Sequence, residues 1–132
     1  MKTIKDIDKI IDWYASNYAG ASIENLMDAK SKLVTLCYRL AEEVADAKKS
    51  SIMATVFRKY EHHNTKSRMI DEGFTQGLAE SKSIEETRDH LVREAETEAL
   101  AFHYKLTLDY ATKIAEDITQ RISVLKREHE SR

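Results

Sequence analysis

Residues 37–60 read CYRLAEEVADAKKSSIMATVFRKY, and their apolar side chains recur at the spacing of one helix face. A second apolar series, in residues 92–125, mirrors the first about residue 81. The mirrored pairs are Cys37 and Leu125, Leu40 and Ile122, Val44 and Ile118, Ile52 and Tyr110, Val56 and Leu106, Tyr60 and Phe102, and Ile70 and Val92. Residues at equal distances from a turn meet across an antiparallel helical hairpin, so the symmetry predicts one.

The composition favours a single all-α domain over residues 1–132. The chain has no proline and three glycines, so long helices are interrupted at few positions. It has no apolar run of about 18 residues and no secretory leader, so we expect a cytoplasmic protein without membrane contact. The only cysteine, Cys37, lies in the mirrored series, which favours a buried thiol over a nucleophile.

Two helices are predicted in the first part of the chain. A short helix over residues 4–19 has apolar side chains on one face, with Thr3 as its cap and Gly20 after its end. Ser22 is then expected to cap the outgoing arm of the hairpin, which spans residues 23–77. The short helix should cover the open end of the hairpin and complete a three-helix bundle there.

The turn and the returning arm are predicted from a capping box. Ser83 and Glu86 have the spacing at which a hydroxyl and a carboxylate satisfy the free amides of a helix start. The return arm is therefore expected over residues 84–128, with the turn at 78–82. The modest helix formers at 62–65 are a possible break in the outgoing arm.

The tip of the hairpin has apolar side chains that the first helix is too short to cover. Exposed apolar patches of this kind usually bind a partner, so we expect a coiled-coil-like homo-oligomer, such as a ring of hairpins. The predicted interface at the tip consists of Phe57, Met69, Ile70 and Phe74.

Charge is divided along the hairpin. Residues 48–68 carry six basic residues and one acid, for +5, whereas residues 69–98 carry nine acids and three basic residues, for -6. One interpretation is that the two arms neutralise each other. The other is a single-stranded nucleic acid site, in which cations hold phosphates and rings stack on bases. Its candidate residues are Lys48, Lys49, Arg58, Lys59, Tyr60, Lys66 and Arg68.

No catalytic constellation is recognised in the sequence. Phosphate loops, dinucleotide glycine patterns, paired-cysteine zinc motifs and the Glu-x-x-His spacing of di-iron bundles do not occur. His62, His63 and His103 could approach one another across the hairpin, but adjacent histidines point to different faces of a helix. We therefore expect a non-enzymatic protein with no catalytic residue, no metal and no cofactor.

The chain resembles the UvsY family of recombination mediators, small all-helical proteins of tailed bacteriophages. The resemblance covers about residues 23–127 and is carried by two short stretches. These are Ala47, Lys48, Lys49, Ala54, Arg58 and Tyr60 in the outgoing arm, and Asp117, Ile118, Arg121 and Ile122 in the return arm. It implies single-stranded DNA contacts at Lys48, Lys49, Arg58 and Lys59. It also implies ring assembly through the C-terminal helix, which adds Ile118 and Ile122 to the expected interface.

These features are compatible with two functions. The first is a single-stranded DNA-binding accessory of recombination or replication, which acts as an oligomer in the host cytoplasm. Its expected partners are a recombinase or a single-strand binding protein. The alternative is a helical protein interaction module, such as a phage inhibitor of a host defence nuclease or an assembly factor.

Overall fold

The computed structural model describes residues 2–131, and the all-α prediction is confirmed: these residues form four helices and no strand. The helices are α1 (Lys2–Asn17), α2 (Ile23–Asp71), α3 (Gln76–Glu86) and α4 (Arg88–Glu130). Two compact units share the long helices. The bundle unit comprises Met1–Val44 and Tyr104–Arg132, and the hairpin unit comprises Ala45–His103. Across residues 2–131, none of the helices is both long and apolar enough to traverse a bilayer.

The bundle unit packs α1 against the first part of α2 and the last part of α4. Its buried core consists of Ile4, Ile7, Tyr14, Leu26, Ala29, Leu33, Leu36, Leu40, Ala111, Ile118 and Ile122. The predicted three-helix bundle is therefore confirmed. The Ser22 cap is also confirmed, because its hydroxyl accepts the amide of Asn25 at 3.1 Å. The Thr3 cap is wrong: α1 already begins at Lys2, and the Thr3 hydroxyl donates to Glu43 at 3.0 Å.

The turn of the hairpin follows α2 at Gly73. The amide of Phe74 donates to the carbonyl of Met69 at 3.1 Å, and the amide of Gly73 donates to the carbonyl of Ile70 at 3.0 Å. This pair of hydrogen bonds is a Schellman motif, which requires a left-handed residue just after the helix. Gly73 supplies it with a φ of 101°. The helix therefore ends at Asp71, six residues before the predicted end at Gly77.

The predicted turn at 78–82 is wrong, because that segment lies inside α3. The N-cap of α3 is Thr75, whose hydroxyl accepts the amide of Leu78 at 3.4 Å. Ser83 is consequently a helix-interior residue, and its hydroxyl donates to the carbonyl of Glu80 at 2.9 Å. A capping-box sequence does not start a helix where a helix is already formed.

The alignment of the two arms also differs from the mirror about residue 81. Arg58 forms an ion pair with Glu94, whereas the mirror would place it opposite Tyr104. In the bundle unit, the thiol of Cys37 lies near the side chain of Thr112, whereas the mirror would place Cys37 opposite Leu125. Both contacts place the centre of the hairpin near the connection between α2 and α3. Helix α2 continues without interruption through residues 62–65, so the possible break there does not occur.

The corrected alignment turns much of the mirrored apolar series towards the surface. Six of its members are more than half exposed: Ile52, Val56, Tyr60, Phe102, Leu106 and Tyr110. The prediction that these side chains form the contact between the arms is wrong. Apolar residues that recur every four positions on both arms still pair with one another when the arms are shifted by four residues. The pattern therefore could not distinguish the inward face of each helix from the outward face. Alanines such as Ala54 and Ala111 occupy inward positions instead.

Candidate binding surface

The hairpin unit has a polar interior built from small side chains. Within Ala45–His103, its buried residues are Ala47, Ala54, Met69, Ala79, Ser83 and Thr87. Three of the four buried apolar residues are alanines, which contribute little apolar area. Apart from Met69, which is buried, and Phe74, which is half-buried, the large apolar side chains of the hairpin unit are exposed.

Ion pairs join α2 to the returning helices of the hairpin unit, and only one of them is shielded from solvent. Within Ala45–His103 they join Arg58 to Glu94, Lys66 to Glu80 at 2.8 Å, and Arg68 to Glu86 at 2.8 Å. The side chains of Arg58 and Glu94 are only 23% and 21% exposed, so this pair is shielded from solvent. Three of the six cations predicted to bind nucleic acid are thus neutralised by the returning helices. The interpretation that the two arms neutralise each other therefore holds for Arg58, Lys66 and Arg68.

Glu80 is the centre of a polar cluster. It accepts from Lys66, and its carboxylate lies 3.1 Å from Nε2 of His62. The hydrogen bond from Lys66 lowers the pKa of the Glu80 carboxyl, and the charges of Lys66 and His62 lower it further. Burial raises this pKa, but the lowering effects are larger. Nδ1 of His62 lies 3.2 Å from the hydroxyl of Ser83, which completes a hydroxyl, imidazole and carboxylate series. Ser83 is 0% exposed, so we interpret this series as structural: its hydroxyl has no surface to offer a substrate.

The other predicted cations are unpaired. Lys48, Lys49 and Lys59 are exposed, and none has an ion pair with any residue from 2 to 131. The ring of Tyr60 is 61% exposed on the same helix. The exposed side of α2 therefore combines three free ammonium groups with an aromatic ring and with apolar side chains such as Val56.

A groove lies between α2 and α4 in the hairpin unit. Its volume is about 710 Å³, and its lining residues are Asp46, Lys49, Ser50, Met53, Ala54, Phe57, His90 and Arg93. The rings of Phe57 and His90 meet edge to face, with centroids 5.0 Å apart and planes at 77°. We call its apolar lining residues the floor of the groove (Met53, Ala54 and Phe57) and its charged lining residues the rims (Asp46, Lys49 and Arg93).

The predicted oligomer interface is divided by the structure. Phe57 and Ile70 are exposed, at 50% and 38%. Phe74 is half-buried, and the ammonium of Lys82 lies 4.6 Å from its ring centroid. Met69 is only 4% exposed, which leaves almost no surface for a second copy. Ile118 and Ile122 belong to the core of the bundle unit, so the expectation that they form an intermolecular interface is corrected as well.

Sequence reasoning missed the α4 side of the groove. Arg93 and His90 lie within residues 69–98, whose net charge of -6 gives no sign of a basic position. The alignment of Arg58 with Glu94 brings this part of α4 beside Phe57. A helical plot of α4 would have placed His90 and Glu94 on one face, four residues apart.

Comparisons with family models, curated proteins and solved structures give no match to this chain. Within residues 2–131, no group of three or more histidine, cysteine or carboxylate side chains is arranged to hold a metal ion.

Proposed function

We propose that this chain is a non-enzymatic helical interaction module, and that its hairpin unit assembles with a second copy through the outward faces of its helices. One observation carries the proposal. The hairpin unit buries mainly alanines and polar side chains, while Ile52, Val56, Tyr60 and Phe102 are each more than half exposed. Soluble monomers rarely expose connected apolar surface of this kind.

The free energy available from covering these side chains supports assembly. Full burial of a large aliphatic or aromatic side chain contributes roughly 1.5–3 kcal/mol, so covering a half-exposed one contributes about 1 kcal/mol. Several such side chains from each copy reach the order of the net stability of a small domain. Covering this surface therefore stabilises the hairpin unit as well as the assembly.

Mass in solution tests the proposal. Light scattering of the full chain should give a multiple of 15.2 kDa that depends on concentration. The double variant Ile52→Ser/Val56→Ser should shift towards a monomer, because it removes two apolar side chains from the exposed face. Met27→Ser/Val34→Ser is the matched control, since Met27 and Val34 are exposed on the same helix within the bundle unit.

Two results would contradict assembly through this face. The first is a wild-type chain that stays at 15.2 kDa at the highest concentration reached. The second is a wild-type oligomer that Ile52→Ser/Val56→Ser leaves unchanged or that the control variant disrupts equally.

A second candidate function is binding of single-stranded DNA along the same helix. It is favoured by Lys48, Lys49 and Lys59, which have no carboxylate partner within residues 2–131, and by the exposed ring of Tyr60. Free ammonium groups beside an exposed ring suit a phosphate backbone with stacked bases. A recombinase or a single-strand binding protein would then be the expected protein partner.

A salt titration of binding to a labelled oligonucleotide separates the two candidates. Three phosphate contacts predict that log affinity falls with log salt concentration with a slope of about -2. The triple variant Lys48→Ala/Lys49→Ala/Lys59→Ala should abolish binding. Lys5→Ala/Lys9→Ala/Lys113→Ala, an equal charge change at exposed positions of the bundle unit, should retain it. No binding of the wild type at about 50 mM salt would remove this candidate.

A further inference from the structure

The groove between α2 and α4 has a chemistry of its own. We propose that it binds an amphipathic helix of a partner protein, with apolar anchors on the floor and carboxylates along the rims. This inference goes beyond the proposed function, since it names a partner other than a second copy for the same hairpin unit. The groove volume of about 710 Å³ lies within the usual range of ligand pockets, roughly 300–1,000 Å³.

The floor is suited to aliphatic anchors. Met53 is 60% exposed and Phe57 is 50% exposed, and Ala54 lies between them in the groove. Because Met53 and Phe57 are four residues apart, they follow one another along α2 and form a continuous apolar strip. A helix that places apolar side chains at i, i+3, i+4 and i+7 in such a groove is a recurrent mode of peptide recognition.

The rims select negative charge. Lys49 on α2 and Arg93 on α4 line the groove, and neither has a carboxylate partner within residues 2–131. Arg58, nine residues after Lys49 on α2, is instead paired with Glu94. The hairpin therefore neutralises cations in its interior and leaves cations from two helices free beside an apolar floor. Carboxylates on both flanks of a bound helix complement this arrangement.

The two ends of the groove are different. Asp46 lies one turn before Lys49 and adds a negative charge there, so a basic or neutral partner residue fits that end. The floor also favours a protein helix over a nucleic acid. The Phe57 ring is engaged edge to face by His90, and Met53 beside it offers no flat face on which a base could stack.

Fluorescence anisotropy with the full chain and a synthetic probe tests this inference. The probe is a labelled helical peptide with leucines at i, i+3, i+4 and i+7 and glutamates on both flanks. Two peptide controls have lysine in place of glutamate, or the same composition with the leucines scattered around the helix. A labelled oligothymidine serves as the nucleic acid control. The glutamate peptide should bind, and both peptide controls should bind at least about tenfold more weakly.

Variants locate the binding to the groove. Phe57→Ala should weaken the glutamate peptide about tenfold or more, and Lys49→Glu/Arg93→Glu should weaken it further. The matched control is Arg39→Glu/Arg88→Glu, which makes the same charge change on the same two helices at exposed positions outside the groove. It should leave the affinity within about twofold. Equal circular dichroism and unfolding midpoints show that each variant is folded.

Several outcomes would overturn the inference. Equal binding of the lysine or scattered peptide would show that the groove has no charge or pattern selectivity. An oligothymidine that binds while the peptide does not, and that is lost in Lys49→Glu/Arg93→Glu, would make the groove a nucleic acid site. Groove variants that dissociate the oligomer, with no peptide binding, would assign the groove to a second copy.

The failure of this inference is distinguishable from that of the proposed function. If the chain forms an oligomer that does not bind the peptide, the proposed self-association stands and only the acidic helical partner is excluded. If the wild type is a monomer that binds the peptide, the proposed self-association is excluded and the groove remains a binding site for an acidic helix.

Discussion

Replacing Tyr14 with phenylalanine should weaken the bundle unit in a way that depends on pH. Tyr14 is 5% exposed, and its hydroxyl donates a hydrogen bond to Asp117. Burial, followed by the hydrogen bond and the charge of Asp117, raises the pKa of Tyr14 from 10.0 to about 12. A hydrogen bond to a charged acceptor contributes roughly 1.5–3 kcal/mol, which is the loss expected for Tyr14→Phe near pH 8.

The loss should shrink at alkaline pH. Because the folded pKa is raised, the stability that Tyr14 contributes is fully present below its unfolded pKa of 10 and is lost as pH rises through about 12. With 1.36 kcal/mol for each unit of pKa difference, the wild type should lose about 1.4 kcal/mol relative to the variant by pH 11. By pH 12 this relative loss should reach about 2 kcal/mol, so the two proteins become nearly equal in stability.

Urea unfolding of both proteins between pH 8 and pH 12 measures this difference. Other groups titrate in both proteins and cancel in the comparison. Tyr38→Phe is the control, because Tyr38 is 77% exposed on α2 and its replacement should cost less than about 0.5 kcal/mol at pH 8. A difference between wild type and Tyr14→Phe that stays constant from pH 8 to pH 12 would refute the assigned contact with Asp117.

Two further predictions concern the hairpin unit. Gly73→Ala should destabilise the chain by about 1–2 kcal/mol from backbone strain alone, since its φ is 101° and no neighbour lies within 4 Å of the added Cβ. Gly77→Ala, in the first turn of α3, should instead stabilise by up to about 1 kcal/mol, and equal effects on urea unfolding would contradict the Schellman turn. Arg58→Glu and Glu94→Arg should each destabilise, and their combination should recover a coupling of roughly 1–3 kcal/mol in a double-mutant cycle. A coupling of zero would show that the two side chains are not paired.

Local signals in the sequence were sufficient for the bundle unit. The apolar face of α1, the Ser22 cap and the cover that α1 gives to Leu26 and Leu33 all depend on residues close in sequence or on one short connection. The turn was harder, because two local signals competed. The capping box at Ser83 and the glycine at Gly73 each mark a helix boundary, and only the glycine is used.

The candidate surface could be predicted in part. Lys48, Lys49 and Lys59 are exposed as expected, because helix periodicity and charge place them in solvent. The pairing of Arg58 with Glu94 could not be predicted, since it depends on the alignment of the two arms. A series of apolar residues four apart fits several alignments about equally well. The groove could not be predicted for the same reason, because it lies between segments of α2 and α4 whose relative alignment the sequence does not determine.

The corrected alignment gives the charges and the apolar residues of the hairpin unit different roles. A shielded pair such as Arg58 and Glu94 contributes little net stability, because desolvation offsets most of the attraction, but a shifted alignment would leave each charge buried without a partner. The pair of Arg58 and Glu94 therefore specifies how α2 lies against α4, while the alanines let the helices approach. Large apolar side chains are then not needed inside. Their placement outside, on Ile52, Met53, Val56 and Phe57, makes their burial depend on another molecule.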